Sequence, residues 1–276
     1  MVFDHPGRVS NQELYDVFVK AFSDYKAPLG LRPQDFNIRI YQKLQISDPL
    51  SVVALSDESP VGFIFHAQNI YEGIPTLYNG GTGVIPQLRK QGLATKMYEW
   101  IFPALAKSKS RRIVLEVIRQ NKRAIKLYES LGFTFKRTFH CFKLKENLES
   151  DMKLMMKYEQ SVPEINGSLI NYQAGFIDSD AQLNRNLANE KIIVAVDDQQ
   201  DKIGYVIFQP HIGRISRLAF SEAEIGRALV YQARLLSAKK ELTILNIPED
   251  AYPMLDALSD MGFKNEIDQY EMELYF

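Results

Sequence analysis

The sequence predicts a mixed α/β (α+β) chain in which a twisted, mostly antiparallel sheet flanked by helices occurs twice in tandem. Three observations carry this. β-type runs crowd residues 51–84, and strand and helix patterns alternate only after them. The 276 residues exceed the usual size of one domain. Short features also recur: Leu131-Gly132-Phe133 returns as Met261-Gly262-Phe263 at an offset of 130, Gly92 as Gly226 at an offset of 134, and the run around Gly62 as the run around Gly204. Residues 146–160 are polar with a stripe of Met152, Met155 and Met156, and Pro163 and Gly167 follow, so the junction is expected there. The expected domains are 1–150 and 151–276.

Ser10 and Glu13 form a capping-box pattern, and Leu14, Val17, Phe18, Ala21 and Phe22 share one face of the helix that follows. A second helix is expected from Pro33 to about Leu44, with the proline in its first turn. Residues 51–55, 61–67 and 76–84 read as strands, separated by turns at Asp57-Glu58-Ser59-Pro60 and Tyr71-Glu72-Gly73. Gly80, Gly81 and Gly83 would weaken an ordinary strand, so they mark a bulge or a close approach by another backbone or a ligand. The pattern then predicts a helix over 93–106, a buried strand over 113–118, a helix over 121–131 and a closing strand over 134–144.

The net charge of −1 conceals an asymmetry: residues 1–150 hold 21 Lys+Arg and 14 Asp+Glu, a balance of +7, and residues 151–276 hold 12 and 20, a balance of −8. A basic first half suits a polyanionic ligand; equally, opposite halves attract one another. Nucleic acid is not an expected partner, because the basic residues are not interleaved with an aromatic platform or any binding motif. No apolar run reaches the ~18 residues of a bilayer crossing, so no membrane partner is expected. Residues 1–10 contain Asp4, His5 and Pro6 and no apolar signal core, which makes a cytoplasmic location the expectation. Four scattered histidines and the single Cys141 offer no zinc spacing, so no metal is expected. With no base motif near it, Cys141 reads as a buried strand residue rather than a nucleophile.

The densest signal is Val84-Ile85-Pro86-Gln87-Leu88-Arg89-Lys90-Gln91-Gly92-Leu93-Ala94, a strand end, a short basic turn and a helix start. Such a turn aims the amides from about Lys90 to Thr95, and the positive end of the helix dipole, at an anion. Gly92 and Ala94 are small where bulk would block approach; the plainer reading of Gly92 is a loop glycine before a helix. Downstream lies Asn121-x-x-Ala124-x-x-Leu127-Tyr128-x-x-x-Gly132-Phe133. Together the two stretches resemble the GCN5-related N-acetyltransferase (GNAT) superfamily over about residues 10–145.

That resemblance implies acetyl-CoA as co-substrate, with no metal. It places the pyrophosphate in the turn of Arg89, Lys90, Gln91, Gly92, Leu93, Ala94 and Thr95. It implies that the pantetheine arm pairs like a strand with Thr82, Gly83 and Val84, leaving the thioester carbonyl near a free backbone N–H that stabilises an oxyanion. Asn121 would hold the cofactor arm, and its type also suits a helix N-cap.

Amine acylation needs a base for the ammonium proton and an acid for the leaving thiolate. Likeness to the ribosomal-protein alanine acetyltransferases of that superfamily implies Glu116 as base and Tyr128 as acid. The residues alone leave other roles open: Glu116 as a charge on a solvated strand face beside Arg119 or Lys143, and Tyr128 as a core aromatic beside Ala124, Ile125 and Leu131. In the second half the offsets replace Arg89 by Ala223, Glu116 by Asn246, Asn121 by Ala251 and Tyr128 by Leu258, with Glu222 and Glu224 near the expected phosphate turn. A degenerate copy that no longer binds the coenzyme is expected.

The acceptor is expected to be a primary amine, on a small molecule or a peptide, met by the first two helices, the loop carrying Tyr25 and Pro28, and the second domain. Its identity and the oligomeric state are open. A non-catalytic acyl-CoA sensor is the competing class. A dinucleotide oxidoreductase is disfavoured because no G-x-G-x-x-G follows an early strand.

Overall fold

The computed structural model describes residues 1–24, 32–164 and 169–276. Tyr25, Pro28 and Gly167 lie outside these. In chain order the elements are β1 (Val2–Asp4), α1 (Asn11–Ala21), α2 (Pro33–Asn37), β2 (Val52–Ser56), β3 (Ser59–Tyr71), β4 (Ile74–Val84), α3 (Leu93–Ala106), β5 (Arg112–Ile118), α4 (Lys122–Ser130) and β6 (Thr134–Leu144). There follow β7 (Met155–Glu159), α5 (Asp180–Asn186), β8 (Lys191–Val196), β9 (Lys202–Gln209), β10 (Arg214–Phe220), α6 (Ala223–Leu235), β11 (Leu242–Pro248), α7 (Tyr252–Asp260) and β12 (Lys264–Tyr275). Two compact units result. The first holds Met1–Glu116, Lys122–Phe135 and Met272–Phe276, and the second holds Val117–Asn121 and Lys136–Glu271.

In the first unit the strand order is β1-β2-β3-β4-β5 and then the end of β12. The expected capping box is present: Ser10 N–H donates to Glu13 Oε2 (2.8 Å) and Glu13 N–H to Ser10 Oγ (3.3 Å). Leu14, Val17, Phe18 and Ala21 turn the buried face of α1 onto β3, where Phe18 stacks on Phe63 (5.5 Å) and Phe63 on Phe65 (4.5 Å). The second helix departs from the expectation. It is α-helical only to Asn37, and a widened π-helical stretch, Ile38–Leu44, continues it to a left-handed Gln45 (φ 52°).

Both predicted hairpin turns have two left-handed central residues, Asp57 and Glu58 (φ 48° and 64°) and Glu72 and Gly73 (φ 52° and 74°), the twist that joins antiparallel strands tightly. The glycine-rich strand does bulge. Phe65 faces Gly81 and His66 faces Asn79, so Gly80 is the extra residue of β4.

The strand over 134–144 forms as expected, but it does not close the first unit. From Lys136 onward it belongs to the second unit, where it pairs antiparallel with β11 through Leu144↔Leu242 to Phe139↔Pro248. The first unit is completed by Met272–Phe276 from the chain end. Arg112 shows what holds those residues. Its 2% exposed guanidinium donates to Glu273 and Glu72 (2.9 Å each), to Tyr71 O (3.0 Å) and to Thr76 Oγ1 (3.1 Å), and lies 5.3 Å from the centre of the Tyr71 ring. A cation this buried needs carboxylates, and Glu273 is one of the two. Phe276 N–H adds a bond to Arg111 O (3.0 Å).

In the second unit the first part of β12 leads the order β6-β11-β10-β9-β8-β7. The Met-rich stretch expected as a junction contributes an element: β7 pairs with β8 from Met155↔Val196 to Glu159↔Ile192. The core gathers Phe142, Phe208, Phe220, Leu229, Met254 and Phe263.

The repeat is visible in detail. Gly132 and Gly262 are both left-handed (φ 92° and 87°), and the following Phe133 and Phe263 donate back to Tyr128 O and Leu258 O (3.0 Å each). Gly62 faces Val84 at the end of β4, and Gly204 faces Phe220 at the end of β10. The match of Gly92 to Gly226 fails, however. Gly226 lies inside α6, where a Cβ would meet the Phe220 ring at 2.6 Å, so it is a packing glycine.

Two stability tests follow. Arg112→Leu leaves Glu72 and Glu273 without their cation and should lower the unfolding free energy by about 3 kcal/mol, read from urea denaturation. His66 is fully buried, with Nδ1 2.7 Å from Leu50 O; burial lowers its pKa to about 4, against the opposing backbone bond. The unfolded chain takes up this proton near pH 6.5 and the folded chain only near 4, so the unfolded state binds more protons in that window. Stability should therefore fall by about 3 kcal/mol in total from this group as pH drops from 6.5 to 4, and His66→Asn should flatten the denaturation profile over the same range.

Candidate active site

The turn between β4 and α3 is built from two left-handed residues, Lys90 (φ 65°) and Gly92 (φ 72°), after a short 3-10 turn over Pro86–Leu88. A left-handed lysine costs about 1–2 kcal/mol and persists only where its surroundings hold it. Arg89 does the holding. Its Nε donates to Val84 O (3.0 Å), Nη1 and Nη2 donate to the Asp24 carboxylate (2.7 and 2.9 Å), and Nη2 also donates to Ala21 O (2.6 Å). Those bonds tie the turn to the end of α1, and the Arg89 hydrogen bond is the main cause of the lowered pKa of Asp24.

The carbonyl of Gly92 accepts the first α3 bond, from Lys96 N–H (3.0 Å). Leu93, Ala94 and Thr95 precede that donor, so their N–H groups have no acceptor within the helix, and Gly92 offers no side chain to cap them. A Cβ at Gly92 would meet nothing within 4 Å, so the protein leaves this space open. Lys90, Gln91 and Thr95 edge the same turn. An open depression of about 410 Å3 adjoins it, lined by Leu88, Gln91, Leu93 and Lys96 together with Met1 and Phe3. Unpaired amides, a helix N-terminus and an unfilled cradle fit a pyrophosphate.

Strands β4 and β5 pair in parallel through Thr76↔Arg112, Leu77↔Ile113 and Tyr78↔Val114. Beyond the last of these pairs β4 runs on through Thr82 and Gly83 to Val84. Gly83 has a packing reason the sequence did not reveal, since a Cβ there would stand 2.5 Å from Phe63 Cζ and 3.0 Å from Ala21 Cβ. Glu116 is half-buried on β5, and the Tyr78 hydroxyl donates to its Oε2. Tyr128, 7% exposed on α4, packs edge-on against Phe133 (5.6 Å) and Tyr98 (6.4 Å). Asn121 directly precedes α4, and its N–H donates to Ile118 O (2.8 Å). Of the basic neighbours considered for Glu116, Arg119 pairs with Asp268 at 3.6 Å and Lys143 with Glu241.

Sequence reasoning missed Asp24, Tyr78, Asn79 and Tyr98. No motif marks them, because each works by a contact made across the fold. A polar Asn immediately before the glycines was the one available sign of a held bulge.

The second unit lacks the cradle. Residues 221–222 alone join β10 to α6, where residues 85–92 join β4 to α3. Glu222 is the N-cap of α6 and Glu224 stands in its first turn, so the helix start already faces negative charge. Asn246, at the position of Glu116, is buried and left-handed (φ 59°) and accepts from Gln269 Nε2 (3.1 Å).

Residues 11–133 match the model of the acetyltransferase (GNAT) family. The full chain has the tandem form of the fold. A tandem GNAT protein from the clavulanic acid biosynthesis pathway superposes with a TM-score of 0.69 at 14% identity, over 99% of this chain and 98% of that one. A GCN5-related N-acetyltransferase from Sphaerobacter thermophilus gives 0.67 at 12% identity, over 99% and 95%. At such identities the likeness is one of fold. In sequence, N-alpha-acetyltransferase 30 of Schizosaccharomyces pombe is 29% identical over 94 residues, which span 33% of this chain and 63% of that relative. Among the described residues no helix is long and apolar enough to cross a membrane, and no group of three or more His, Cys, Asp or Glu could hold a metal ion.

Gly92→Asn tests the cradle, because asparagine tolerates a left-handed backbone yet fills the open space. The expected result is an acetyl-CoA affinity weaker by about tenfold or more, from lost charge-assisted amide bonds, with an unchanged circular dichroism spectrum. Unchanged affinity in calorimetry would move the site elsewhere.

Proposed function

We propose that the chain is an N-acetyltransferase that passes the acetyl group of acetyl-CoA to a primary amine by direct attack. The observation that carries this reading is the open turn at Gly92, whose unpaired amides suit a pyrophosphate, within a GNAT-family segment. The backbone from Gly92 to Thr95 would hold the phosphates, and Thr82, Gly83 and Val84, beyond the last β4–β5 pair, would receive the pantetheine arm. Arg89 serves this site through its side chain by fixing the turn to α1. Asn121 would meet the cofactor arm.

Acyl transfer forms a C–N bond and breaks the C–S bond; the attacking amine loses a proton and the departing sulfur gains one. Glu116 is our choice of base, oriented by the hydroxyl of Tyr78, and Tyr128 our choice of acid. The likeness to an N-alpha-acetyltransferase supports an amine on a peptide terminus as one acceptor class; a small-molecule amine is the other. The second unit, with its shortened turn and acidic helix start, does not bind the coenzyme in this reading. The negative charge of residues 151–276, an excess of eight, suits a cationic acceptor. The site calls for no metal.

Tyr128→Phe should lower kcat by about a hundredfold or more while the acetyl-CoA KM changes little, because a hydroxyl used in the transition state alone is lost. Thiol release measured with a panel of peptide and small-molecule amines provides the assay. A wild-type protein that binds acetyl-CoA and acetylates none of them would instead be a sensor.

A further inference from the structure

The bulge in β4 is held by side chains that also reach the coenzyme helix. Asn79 is buried in β4 immediately before the extra residue Gly80. Its Oδ1 accepts from Gly81 N–H (2.9 Å), which bridges the bulge, and its Nδ2 donates to Thr82 Oγ1 (2.8 Å) and to the hydroxyl of Tyr98. Tyr98 is fully buried on α3, the helix whose first turn forms the candidate phosphate cradle. Thr82 also hydrogen-bonds the Tyr98 side chain, and the ring of Tyr98 stands perpendicular to that of Tyr128 at 6.4 Å. One buried phenol therefore touches the bulge, the helix that carries the cradle, and the ring of the candidate acid.

We propose that Tyr98 and Asn79 are positioning residues: they lock the irregular end of β4 against α3, so that the β4 backbone and Tyr128 are held at one fixed offset from the coenzyme's phosphates. This rests on the acetyltransferase reading and adds to it a device for setting distance along the coenzyme. The physical need is clear. A strand with glycines at 80, 81 and 83 has little side-chain packing of its own, and a bulge leaves the ladder locally unpaired, so this register is weakly fixed without a side-chain brace. The brace is rigid because Asn79 and Tyr98 are buried and hydrogen-bonded to one another, and burial keeps the Tyr98 phenol protonated by raising its pKa far above the ordinary value. Asn79 supplies what a backbone partner would otherwise give to Gly81. Tyr98 contributes a hydroxyl where phenylalanine would pack equally well.

The test uses Tyr98→Phe, which keeps the ring, and Thr82→Val, which keeps the shape but loses the oxygen. Small misplacements at a reacting centre cost rate far more than affinity, so each variant should lose about tenfold to a hundredfold in kcat, and Tyr98→Phe should keep an acetyl-CoA Kd within about twofold of wild type. The double variant should lose little more than either single, because both cut the same network. Amide exchange at Gly81 should be faster in Tyr98→Phe than in wild type. Turnover within about twofold of wild type, or a loss seen wholly in KM, would overturn the proposal. If wild-type protein binds acetyl-CoA but acetylates no amine, the enzymatic reading fails alone. Amide exchange then decides the brace: faster Gly81 exchange in Tyr98→Phe supports it, and unchanged exchange overturns it.

Discussion

Three backbone N–H groups at the start of α3, those of Leu93, Ala94 and Thr95, have no acceptor in their own helix, and the surrounding parts of the first unit are arranged to leave them available. Two left-handed residues precede them, and Arg89 anchors the curl to the last residue of α1 through Ala21 O and to the turn after it through the Asp24 carboxylate. A capping side chain at position 92 would satisfy these amides, and Gly92 as N-cap has none. The strain of a left-handed Lys90 persists because Arg89 over-determines the turn.

The aromatic core fixes the end of β4. Phe63 stacks between Phe18 and Phe65 and fills the space that a side chain at Gly83 would occupy, so the end of β4 lies close against α1. Glycine at 83 is thus needed for packing on one side of the strand. The polar brace of Asn79, Thr82 and Tyr98 supplies the register that such a glycine-rich strand cannot supply by side-chain packing.

The two units share a framework and differ in the connection that leads into the helix after the central strand. One strand glycine and one helix end repeat: Gly62 and Gly204 each face the end of the next strand, Gly132 and Gly262 take the same left-handed conformation, and the residues after the latter pair donate to equivalent carbonyls. These are requirements of packing and helix termination, common to both units. The connection before α6, reduced to Ser221 and Glu222, has no room for a left-handed turn and puts a carboxylate at the helix start.

The sequence by itself determined the elements whose physics is local. The Ser10 capping box, the left-handed hairpin turns, the bulge among Gly80, Gly81 and Gly83, and the helix beginning at Leu93 are each written within a few consecutive residues, because capping, turn chemistry and helix termination act over that range. Residues 134–144 were equally legible as a strand, yet its partner was not. The patterns of β6 and β12 serve either unit, and a buried Arg112 that needs Glu273, 161 positions away in the chain, is what ties the chain end to the first unit. The clamp from Arg89 to Asp24, the orienting bond from Tyr78 to Glu116 and the brace of Tyr98 on Asn79 belong to the same class. Each joins residues at least 19 positions apart, and only the packed fold decides which buried polar groups meet, because the cost of leaving them unpaired arises only once water has been excluded.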